Sequence, residues 1–510
     1  MRDAEVVEAK REQIVAATGP AKLAARFPTL VRAAFHTPYP VVLLGLLAFI
    51  PSIKGYFLSD DFVLLDWTHE VSLSGVGGFF DPNTFWFYRP LVKVYYWLGQ
   101  SVVGLHPEPF HIVSILLHGA NACLVFVVVA GRHGTRWKAG LAAALIFLWM
   151  PYSAETVSWI AATGDLAATF CILAVLLLMR HYWRSGGVVY LAASLGLFML
   201  GLFTRETTVL LLPLLILDVL VFKRAPRLGR AVAALVYFVV PLGIYLLIQS
   251  SGGTSQPGRG GLAFRNLNIE SILLGVTEYA HGLLPGGGLL AQLSLETLRT
   301  VVWVELAVVL AVAFLLWKAR QHTALLGLSW MLLTPLIFVF FSAPTDRYFY
   351  LPSVGYAIFI ASLIARLPAF IRRHLSGTPQ TVRAAAPVAA LLVLALLASE
   401  VAGLLRKESA WHTAGQTSMH VFEDTERAAP EPNDYAAFFY IDLPATIEDV
   451  PTFGNGMQQA VQLLYGNKTI AASITDCSQL QAQQETPRYS YFLRYNGNGV
   501  DALPNKEACR

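Results

Sequence analysis

Residues 38–54 read PYPVVLLGLLAFIPSIK, and the loop that follows, residues 55–62, reads GYFLSDDF. The first stretch is almost entirely apolar and is long enough to enter a lipid bilayer as a helix. The second places two adjacent acids, Asp60 and Asp61, directly beyond that segment. Because ionisable groups are costly to bury beside a bilayer, this pair indicates either a helix cap or chemistry at a membrane surface.

The composition of the whole chain indicates a multi-pass membrane protein. Of 510 residues, 55% are hydrophobic and only 14% are charged, and the mean hydropathy is +0.54. An ordinary soluble domain carries about 25% charged residues. The net charge of +4 is better explained by basic loops on one side of a membrane than by nucleic acid binding. Membrane lipids are therefore predicted partners, and nucleic acid is not.

Segments of about 20 apolar residues recur along the chain and predict about eleven spans. The sequence thus predicts an all-α polytopic bundle. The candidate spans are 38–54, 110–130, 138–155, 164–181, 187–204, 207–222, 231–249, 299–317, 322–342, 347–366 and 383–404.

Basic residues decide the orientation, because they concentrate in alternate loops. A cytoplasmic N-terminal segment, residues 1–36, places all of these loops inside a plasma (inner) membrane. The membrane domain, residues 37–404, then has its first outer loop at 55–109. An odd number of spans places the tail outside as well. The basic loops contain Arg132, Arg136 and Lys138; Arg180 and Arg184; Lys223, Arg224, Arg227 and Arg230; Lys318 and Arg320; Arg366, Arg372 and Arg373.

The tail, residues 405–510, has the composition of a small aqueous domain, since the Ala, Leu and Val runs stop there. Residues 438–441 and 489–493 have the aromatic and β-branched character of strands, and 457–465 has the pattern of a helix. An α+β fold outside the membrane is predicted. Cys477 and Cys509 lie in this exported part, where a disulfide persists, whereas Cys123 and Cys171 lie within apolar spans.

Two interpretations of the paired acids remain open. Ser59 has the residue type of an N-cap for a helix that begins at Asp60, and acids in a first turn are favoured by the helix dipole. Alternatively, the acids take part in catalysis. Neighbouring side chains diverge by about 100° on a helix, so one acid can face a reacting hydroxyl while the other caps, orients or binds a divalent cation. Asp66, on the same helix, adds negative charge that favours a raised pKa in a general base.

Arg89 and Lys93 form a second candidate site. Pro90 is suited to the first position of a helix, which places Arg89 at the helix entrance and Lys93 one turn inside. An arginine fork and a lysine point charge together can hold a phosphate. The alternative is that both side chains reach lipid headgroups. We expect this helix, residues 90–105, to lie along the outer membrane surface.

Further polar groups lie at the outer ends of several predicted spans. His111 and His118 share a helix face, but their spacing is a weak metal signal; His118 and Asn121 are expected to line a polar cavity. A structural ion pair is the alternative for Arg205 and Glu206. Charged groups from different spans at one membrane face favour a common pocket. The remaining members of this predicted pocket are Glu155, Asp165, Asp346, Arg347 and Tyr348.

The order of these motifs resembles that of the transmembrane O-mannosyltransferases that carry tetratricopeptide repeats. The resemblance begins at Leu58-Ser59-Asp60-Asp61-Phe62 and extends to about Tyr356. No repeat of about 34 residues follows the spans in this sequence. The other matching stretches are Tyr88-Arg89-Pro90-Leu91, Phe110-His111 to His118 and Asn121, Pro151 to Val157 with Thr163 to Leu166, Thr204-Arg205-Glu206, and Asp346 to Gly355.

The resemblance implies a C-superfamily (GT-C) glycosyltransferase that uses a polyprenyl-phosphate-linked sugar on the outer side. Asp60 or Asp61 would then be the catalytic base or the acid that orients the acceptor. Arg89, Arg205 and Arg347, with Lys93 next, would hold the donor phosphate. The acceptor hydroxyl is expected on a protein, with a lipid or a surface glycan as the alternative. A polyprenyl-lipid or solute transporter is the rival of another class, although charged groups at mid-bilayer and related halves, which are typical of transporters, are not evident.

Overall fold

The computed structural model describes residues 38–83, 88–131, 136–220, 228–251, 269–283, 295–339, 345–367, 379–482 and 487–509. The predicted cytoplasmic segment, residues 1–36, lies outside these ranges. The described chain is mostly helical and ends in a small sheet domain. This confirms the predicted fold class, an all-α membrane bundle with an α+β domain.

Helices of the first half of the chain lie where apolar segments predicted them. Helix α1 continues as a 3-10 helix over Leu46–Lys54. Helices α2 and α3 belong to the loop at residues 55–109, the predicted outer loop, and further 3-10 turns cover Leu73–Phe80, Ile160–Ala162 and Glu206–Leu210. The helices are α1 (Tyr39–Gly45), α2 (Asp60–Thr68), α3 (Pro90–Val103), α4 (Glu108–Ala130), α5 (Trp137–Leu148), α6 (Ser153–Ser158), α7 (Thr163–Ser185), α8 (Val188–Thr204), α9 (Leu211–Leu220) and α10 (Leu228–Ser251).

The second half completes the bundle. Within the described ranges, four helices are long and apolar enough to cross a membrane, and shorter apolar helices accompany them. Among the described residues, each of the eleven predicted spans overlaps at least one helix, and the protein is a multi-pass membrane protein. The remaining helices of the bundle are α11 (Ile269–Gly282), α12 (Leu295–Lys318), α13 (His322–Leu333), α14 (Tyr350–Ile364) and α15 (Pro379–Ala428), with 3-10 turns at Thr334–Ile337 and Asp346–Phe349.

Small residues let two of these helices pack closely. A Cβ atom on Gly327 of α13 would lie 2.5 Å from the backbone nitrogen of Phe359, and one on Gly355 of α14 would lie 2.5 Å from that of Met331. Only glycine permits this approach, which is a packing mode common between helices in membranes.

Helix α15 connects the bundle to the C-terminal domain. Its 50 residues extend for about 75 Å, more than twice the hydrocarbon thickness of a bilayer. The polar tail therefore does not begin a new fold at Leu405, because the helix continues without a break to Ala428. Its second half carries side chains to the outer loop and to the sheet domain.

The C-terminal domain contains a four-stranded sheet in the order β4-β1-β5-β6. Strand β1 pairs in parallel with β4 and β5, with Phe439 opposite Ser473 and Phe492; β5 and β6 are antiparallel. The predicted strands and the helix at Met457–Tyr465 are confirmed. A disulfide joins Cys477 and Cys509. The elements are β1 (Ala437–Ile441), β2 (Thr446–Ile447), β3 (Val450–Pro451), α16 (Met457–Tyr465), β4 (Ala471–Thr475), α17 (Cys477–Ala482), β5 (Ser490–Tyr495) and β6 (Val500–Leu503).

Candidate active site

Helix α2 begins at Asp60, as predicted, but Ser59 does not cap it in the expected way. The Ser59 hydroxyl makes no capping hydrogen bond, and the residue has φ of 49° and ψ of −112°. A positive φ is uncommon for a residue other than glycine, and such strain concentrates at functional sites. The Ser59 amide donates to the carbonyl of Thr452 at 2.5 Å. The C-terminal domain therefore helps to hold the backbone immediately before the two acids.

Asp61 is the inner member of the acid pair. Asp61 is only 1% exposed. The Tyr96 hydroxyl donates to one carboxylate oxygen at 2.6 Å, and the Leu58 amide donates to the other at 2.9 Å. Burial raises the pKa of Asp61 to about 7, although both hydrogen bonds oppose that rise. The expectation that Asp66 raises this pKa is wrong. Burial is the main cause, and the Asp66 carboxylate pairs with Lys468 at the domain boundary.

Asp60 is the outer member and is partly exposed. Burial raises its pKa, while the positive charges of Arg347 and Arg89 act in the opposite direction. The two acids therefore lie in different environments, which agrees with the divergence of adjacent side chains on a helix. Asp61 is hydrogen-bonded within the protein interior, whereas Asp60 is partly exposed and is influenced by the charges of Arg347 and Arg89.

Three arginines and four carboxylates form a charged cluster at this end of the bundle; we define it as Asp60, Arg89, Glu155, Asp165, Arg205, Glu206 and Arg347. Arg89 donates to both oxygens of Glu206, at 2.9 and 2.5 Å. Arg205 lies 2.9 Å from Asp165 and 4.0 Å from Glu206. The ion pair of Arg205 with Glu206, which was the alternative interpretation, is thus the weaker contact. Side chains of chain neighbours diverge, and Asp165 of α7 lies closer to Arg205.

Arg347 joins the cluster from the start of the α14 segment. Its guanidinium lies 3.0 Å from a Glu155 oxygen, and its backbone amide donates to the other oxygen at 3.1 Å. The guanidinium also lies 4.6 Å from the centre of the Trp159 ring. Asp346, the preceding residue, turns to Lys407 of α15 instead. Tyr348 stacks on Phe338 at 4.4 Å between ring centres and forms part of the wall next to Arg347.

The Lys93 side chain is buried within the folded loop at residues 55–109 and does not lie at the protein surface. It is 2% exposed, so the alternative in which it reaches lipid headgroups is wrong. Its ammonium lies 4.3 Å from the centre of the Trp67 ring and donates to the Phe79 carbonyl at 3.3 Å. Burial lowers the pKa of Lys93 to about 8. With this pKa the Lys93 amine is still mostly protonated at neutral pH and can pair with an anion.

His118 and Asn121 are fully buried between helices and do not line an open cavity, contrary to the expectation. Tyr350 lies 2.8 Å from a His118 ring nitrogen and accepts from the Asn121 amide at 3.1 Å. Asn121 also donates to the Leu166 carbonyl at 3.0 Å. Through these hydrogen bonds, His118 and Asn121 connect α4 to α7 and α14. Within the described ranges, no three His, Cys, Asp or Glu residues are grouped in a way that would hold a metal ion.

Glu408 is a polar residue near the site that the sequence did not indicate. It lies on α15, is 2% exposed, and makes hydrogen bonds with Ser52 and Ser158, the latter at 2.8 Å. The two hydroxyls are also 2.9 Å apart. Each serine hydroxyl donates to one oxygen of the Glu408 carboxylate. Burial raises the pKa of Glu408 to about 7, although both hydrogen bonds oppose that rise.

The C-terminal domain packs directly on the helix that carries the acids. The Phe62 ring lies 5.3 Å from Phe422 and 5.5 Å from Phe453 between ring centres, and those two rings are 6.1 Å apart, so the three form one aromatic cluster. A Cβ atom on Gly456 would lie 2.4 Å from the Ser59 carbonyl oxygen, so only glycine allows the chain to pass there. Outer-loop residues and domain residues share one apolar core. The acids are therefore held between the bundle and the domain.

No protein-family model matches the chain. Over 129 residues, 24% of this chain, it is 34% identical to the protein O-mannosyl-transferase Tmtc2 of Drosophila melanogaster. The predicted resemblance is confirmed. The chain is also 28% identical over 122 residues to Tmtc1 of the same organism, and the matching segment covers 14% of the length of each relative.

A structural comparison gave a weaker likeness over a longer stretch. The crystal structure of ArnT from Cupriavidus metallidurans bound to undecaprenyl phosphate has a TM-score of 0.49 and 11% identity, over 92% of this chain and 94% of that one. The same protein in the apo state gives a TM-score of 0.47.

Proposed function

We propose that this protein is a membrane glycosyltransferase that moves a sugar from a polyprenyl-phosphate donor to an acceptor hydroxyl. The observation that carries the proposal is the division of the acid pair. Asp61 is buried and doubly hydrogen-bonded, while Asp60 is partly exposed and within the electrostatic influence of Arg89 and Arg347. A carboxylate beside a group of cations suits a reaction in which a hydroxyl loses a proton and a phosphate departs.

In the proposed step, Asp60 accepts the proton of the acceptor hydroxyl. The hydroxyl oxygen forms a bond to the anomeric carbon of the sugar, and the bond between that carbon and the phosphate oxygen breaks. The phosphate leaves with the electron pair and with its negative charge. Arg89, Arg205 and Arg347 supply positive charge to the departing phosphate, and Lys93 is a further candidate cation. Asp61 is a positioning residue that fixes the start of α2.

The arginines already bind carboxylates, and this affects how a donor would be held. Arg205 and Arg347 each have five N–H donors, more than their contacts with Asp165 and Glu155 use. A charged phosphate can therefore be added to the cluster without first breaking an ion pair. The same carboxylates fix the arginine forks in advance, which lowers the entropic cost of binding.

We further propose that the cluster and the C-terminal domain lie on the extracytoplasmic side. The basic loops at the opposite end of the helices support this orientation through the positive-inside rule. Protein hydroxyls are the favoured acceptors, because the relatives of confirmed similarity are named protein O-mannosyl-transferases. Lipid or surface polysaccharide is the alternative acceptor.

Replacing Asp60 tests the mechanism. Asp60→Asn removes the proton acceptor with little change of volume, and we expect turnover to fall by about 10²–10⁴-fold while donor binding persists. The assay measures sugar transfer from polyprenyl-phosphate mannose in membranes, together with mass spectrometry of glycoproteins and lipid-linked sugars in a complemented deletion strain. Asp66→Asn is the matched control, since it makes the same change on the same helix beside Lys468. Full turnover in Asp60→Asn would exclude Asp60 as the base.

A further inference from the structure

A second polar site lies at the end of the bundle opposite to the charged cluster. It is a cavity of about 420 Å³ between the start of α5, the start of α13 and the end of α14. Helix α14 begins next to the charged cluster at Arg347 and ends at this cavity, so the two sites lie at opposite ends of the same helix. The polar residues that line the cavity are Arg136, Lys138, Gln321, Thr323, Ser362 and Arg366; we call it the basic cavity.

The charge of the basic cavity is not balanced by its own elements. Arg136, Lys138 and Arg366 all line it, and Arg136 repels Arg366. The sequence has no Asp or Glu from residue 131 to 154, from 318 to 345, or from 347 to 399. The elements that build the cavity, and the chain on either side of them, therefore bring cations together without a carboxylate.

Hydrogen-bond donors complete the lining. Ser362 is 7% exposed, and its hydroxyl has no hydrogen-bond partner among the described residues. The Thr323 hydroxyl accepts from Arg136 at 2.6 Å, so its own hydrogen remains to be donated. Buried hydroxyls are normally hydrogen-bonded. The Ser362 hydroxyl in particular is a donor for which the protein supplies no acceptor.

Two helices also begin at the basic cavity. Helix α5 starts at Trp137 and α13 at His322, each 12 residues long, and neither has a side-chain cap. The first amide groups of a helix have no intrahelical acceptor and carry partial positive charge. Uncapped N-termini beside three cations and an unpartnered buried hydroxyl are the arrangement that binds an anion.

We infer that the basic cavity binds a phosphate group, either of an anionic phospholipid headgroup or of a free phosphate compound. Arginine forks and hydroxyls are the usual ligands of phosphate oxygens. A basic pocket between membrane helices is also a typical headgroup site. Half-buried Trp137 at the cavity wall is the residue type that favours a membrane interface. This inference does not depend on the proposed glycosyl transfer.

The test compares two pairs of substitutions in the full chain, purified in detergent. The double variant Arg136→Gln with Arg366→Gln removes two cations from the cavity. Arg184→Gln with Arg230→Gln removes two cations that do not line it and serves as the matched control. The probes are phosphatidylglycerol and phosphatidylcholine, measured by native mass spectrometry, and inorganic phosphate, measured by calorimetry. Size-exclusion profiles and far-UV circular dichroism establish that each variant is folded.

We expect the cavity variant to bind an anionic probe at least about tenfold more weakly than the wild type, since each cation near a lipid surface contributes about 1 kcal/mol. The control pair should change binding by less than about twofold. Loss of phosphatidylglycerol alone identifies a headgroup site, and loss of inorganic phosphate alone identifies a free phosphate ligand. The inference would be overturned if both double variants bound the anionic probes as well as the wild type does, or if both lost binding to the same extent.

Ser362→Ala provides a second measurement if the cavity variant does not fold. It keeps every charge and removes only the unpartnered hydroxyl, so a phosphate ligand should be weakened about fivefold, the effect of one lost hydrogen bond of about 1 kcal/mol. Phosphatidylcholine retention should not change. Unaltered binding of both anionic probes by Ser362→Ala would show that the hydroxyl serves no ligand, and the inference would fall.

Discussion

The two ends of the bundle treat charge in opposite ways. In the charged cluster, Arg89, Arg205 and Arg347 each contact a carboxylate within 3.0 Å. In the basic cavity, Arg136 and Arg366 repel one another, and the surrounding sequence contains no acid. The first arrangement is electrically close to neutral before any ligand arrives, whereas the second remains positive until an anion binds.

This difference indicates different demands on the two sites. A site for group transfer has to keep its cations fixed while charge moves, and paired carboxylates fix them. A site that only binds an anion gains most from charge that is not already neutralised, although the empty site is then less stable. The comparison therefore predicts that neutralising a charge is costly at one end of the bundle and harmless at the other.

The largest effect is expected for Asp165→Asn in the charged cluster. This substitution leaves Arg205, which is 4% exposed, without its closest carboxylate. Breaking a buried ion pair costs about 3–5 kcal/mol, because one charge stays buried without compensation. Thermal unfolding of the purified protein measures the loss. The double variant Asp165→Asn with Arg205→Met should recover part of it, and an unchanged unfolding temperature in Asp165→Asn would contradict the assigned pair.

The sequence predicted the parts of this site that depend on local patterns. Hydropathy marked the segments that became helices, because span length and apolar content are local properties. The start of α2 at Asp60 and of α3 at Pro90 followed from helix chemistry that acts within one turn. The different environments of Asp60 and Asp61 followed from the angle between neighbours on a helix.

Pairings across helices could not be predicted in this way. Arg205 binds Asp165 rather than its chain neighbour Glu206, because the packing of α7 against α8 decides which carboxylate lies closest. His118 and Asn121 had the polarity of cavity residues but became hydrogen-bonded packing residues. The ring of Ser52, Ser158 and Glu408 joins residues that are up to 356 positions apart, and no local signal connects them.

The contact between the C-terminal domain and α2 was likewise absent from the prediction. Gly454 and Gly456 lie in a turn before α16, and the sequence of a turn alone does not show what packs against it. The structure places that turn on Ser59 and Phe453 on Phe62. A domain that the sequence presented as a separate tail is in fact one wall of the candidate active site.

A pH dependence is expected at the charged end. Burial raises the pKa of Asp61 and of Glu408 to about 7, above the ordinary range of a carboxyl group. The folded state therefore binds protons that the unfolded state releases, so the contribution of these two groups to stability is greatest below about pH 4 and is lost as the pH rises through 7. For Asp61 alone the loss is about 2–3 kcal/mol between pH 5 and 7.

Unfolding temperatures measured from pH 5 to 8 test this expectation. Asp61→Asn cannot ionise, so about half of the slope should disappear, and Glu408→Gln should remove a similar part. Asp66→Asn is the control, because Asp66 lies on the same helix and pairs with Lys468, whose side chain is 57% exposed. A slope that persists in the variant carrying both Asp61→Asn and Glu408→Gln would place the titrating groups elsewhere.

The smallest effect is expected at the opposite end, for Arg366→Gln. Removing this cation relieves its repulsion by Arg136, so in phosphate-free buffer the free energy of unfolding should change by no more than about 0.5 kcal/mol, in the stabilising direction. Added inorganic phosphate should stabilise the wild type and Arg366→Gln to different extents. At ten times its dissociation constant a ligand of the folded state stabilises by about 1.4 kcal/mol, and the wild type should gain this while Arg366→Gln gains less. A loss of more than about 1 kcal/mol in phosphate-free buffer would show that Arg366 stabilises the bundle as the arginines of the charged cluster do, and the contrast between the two ends would not hold.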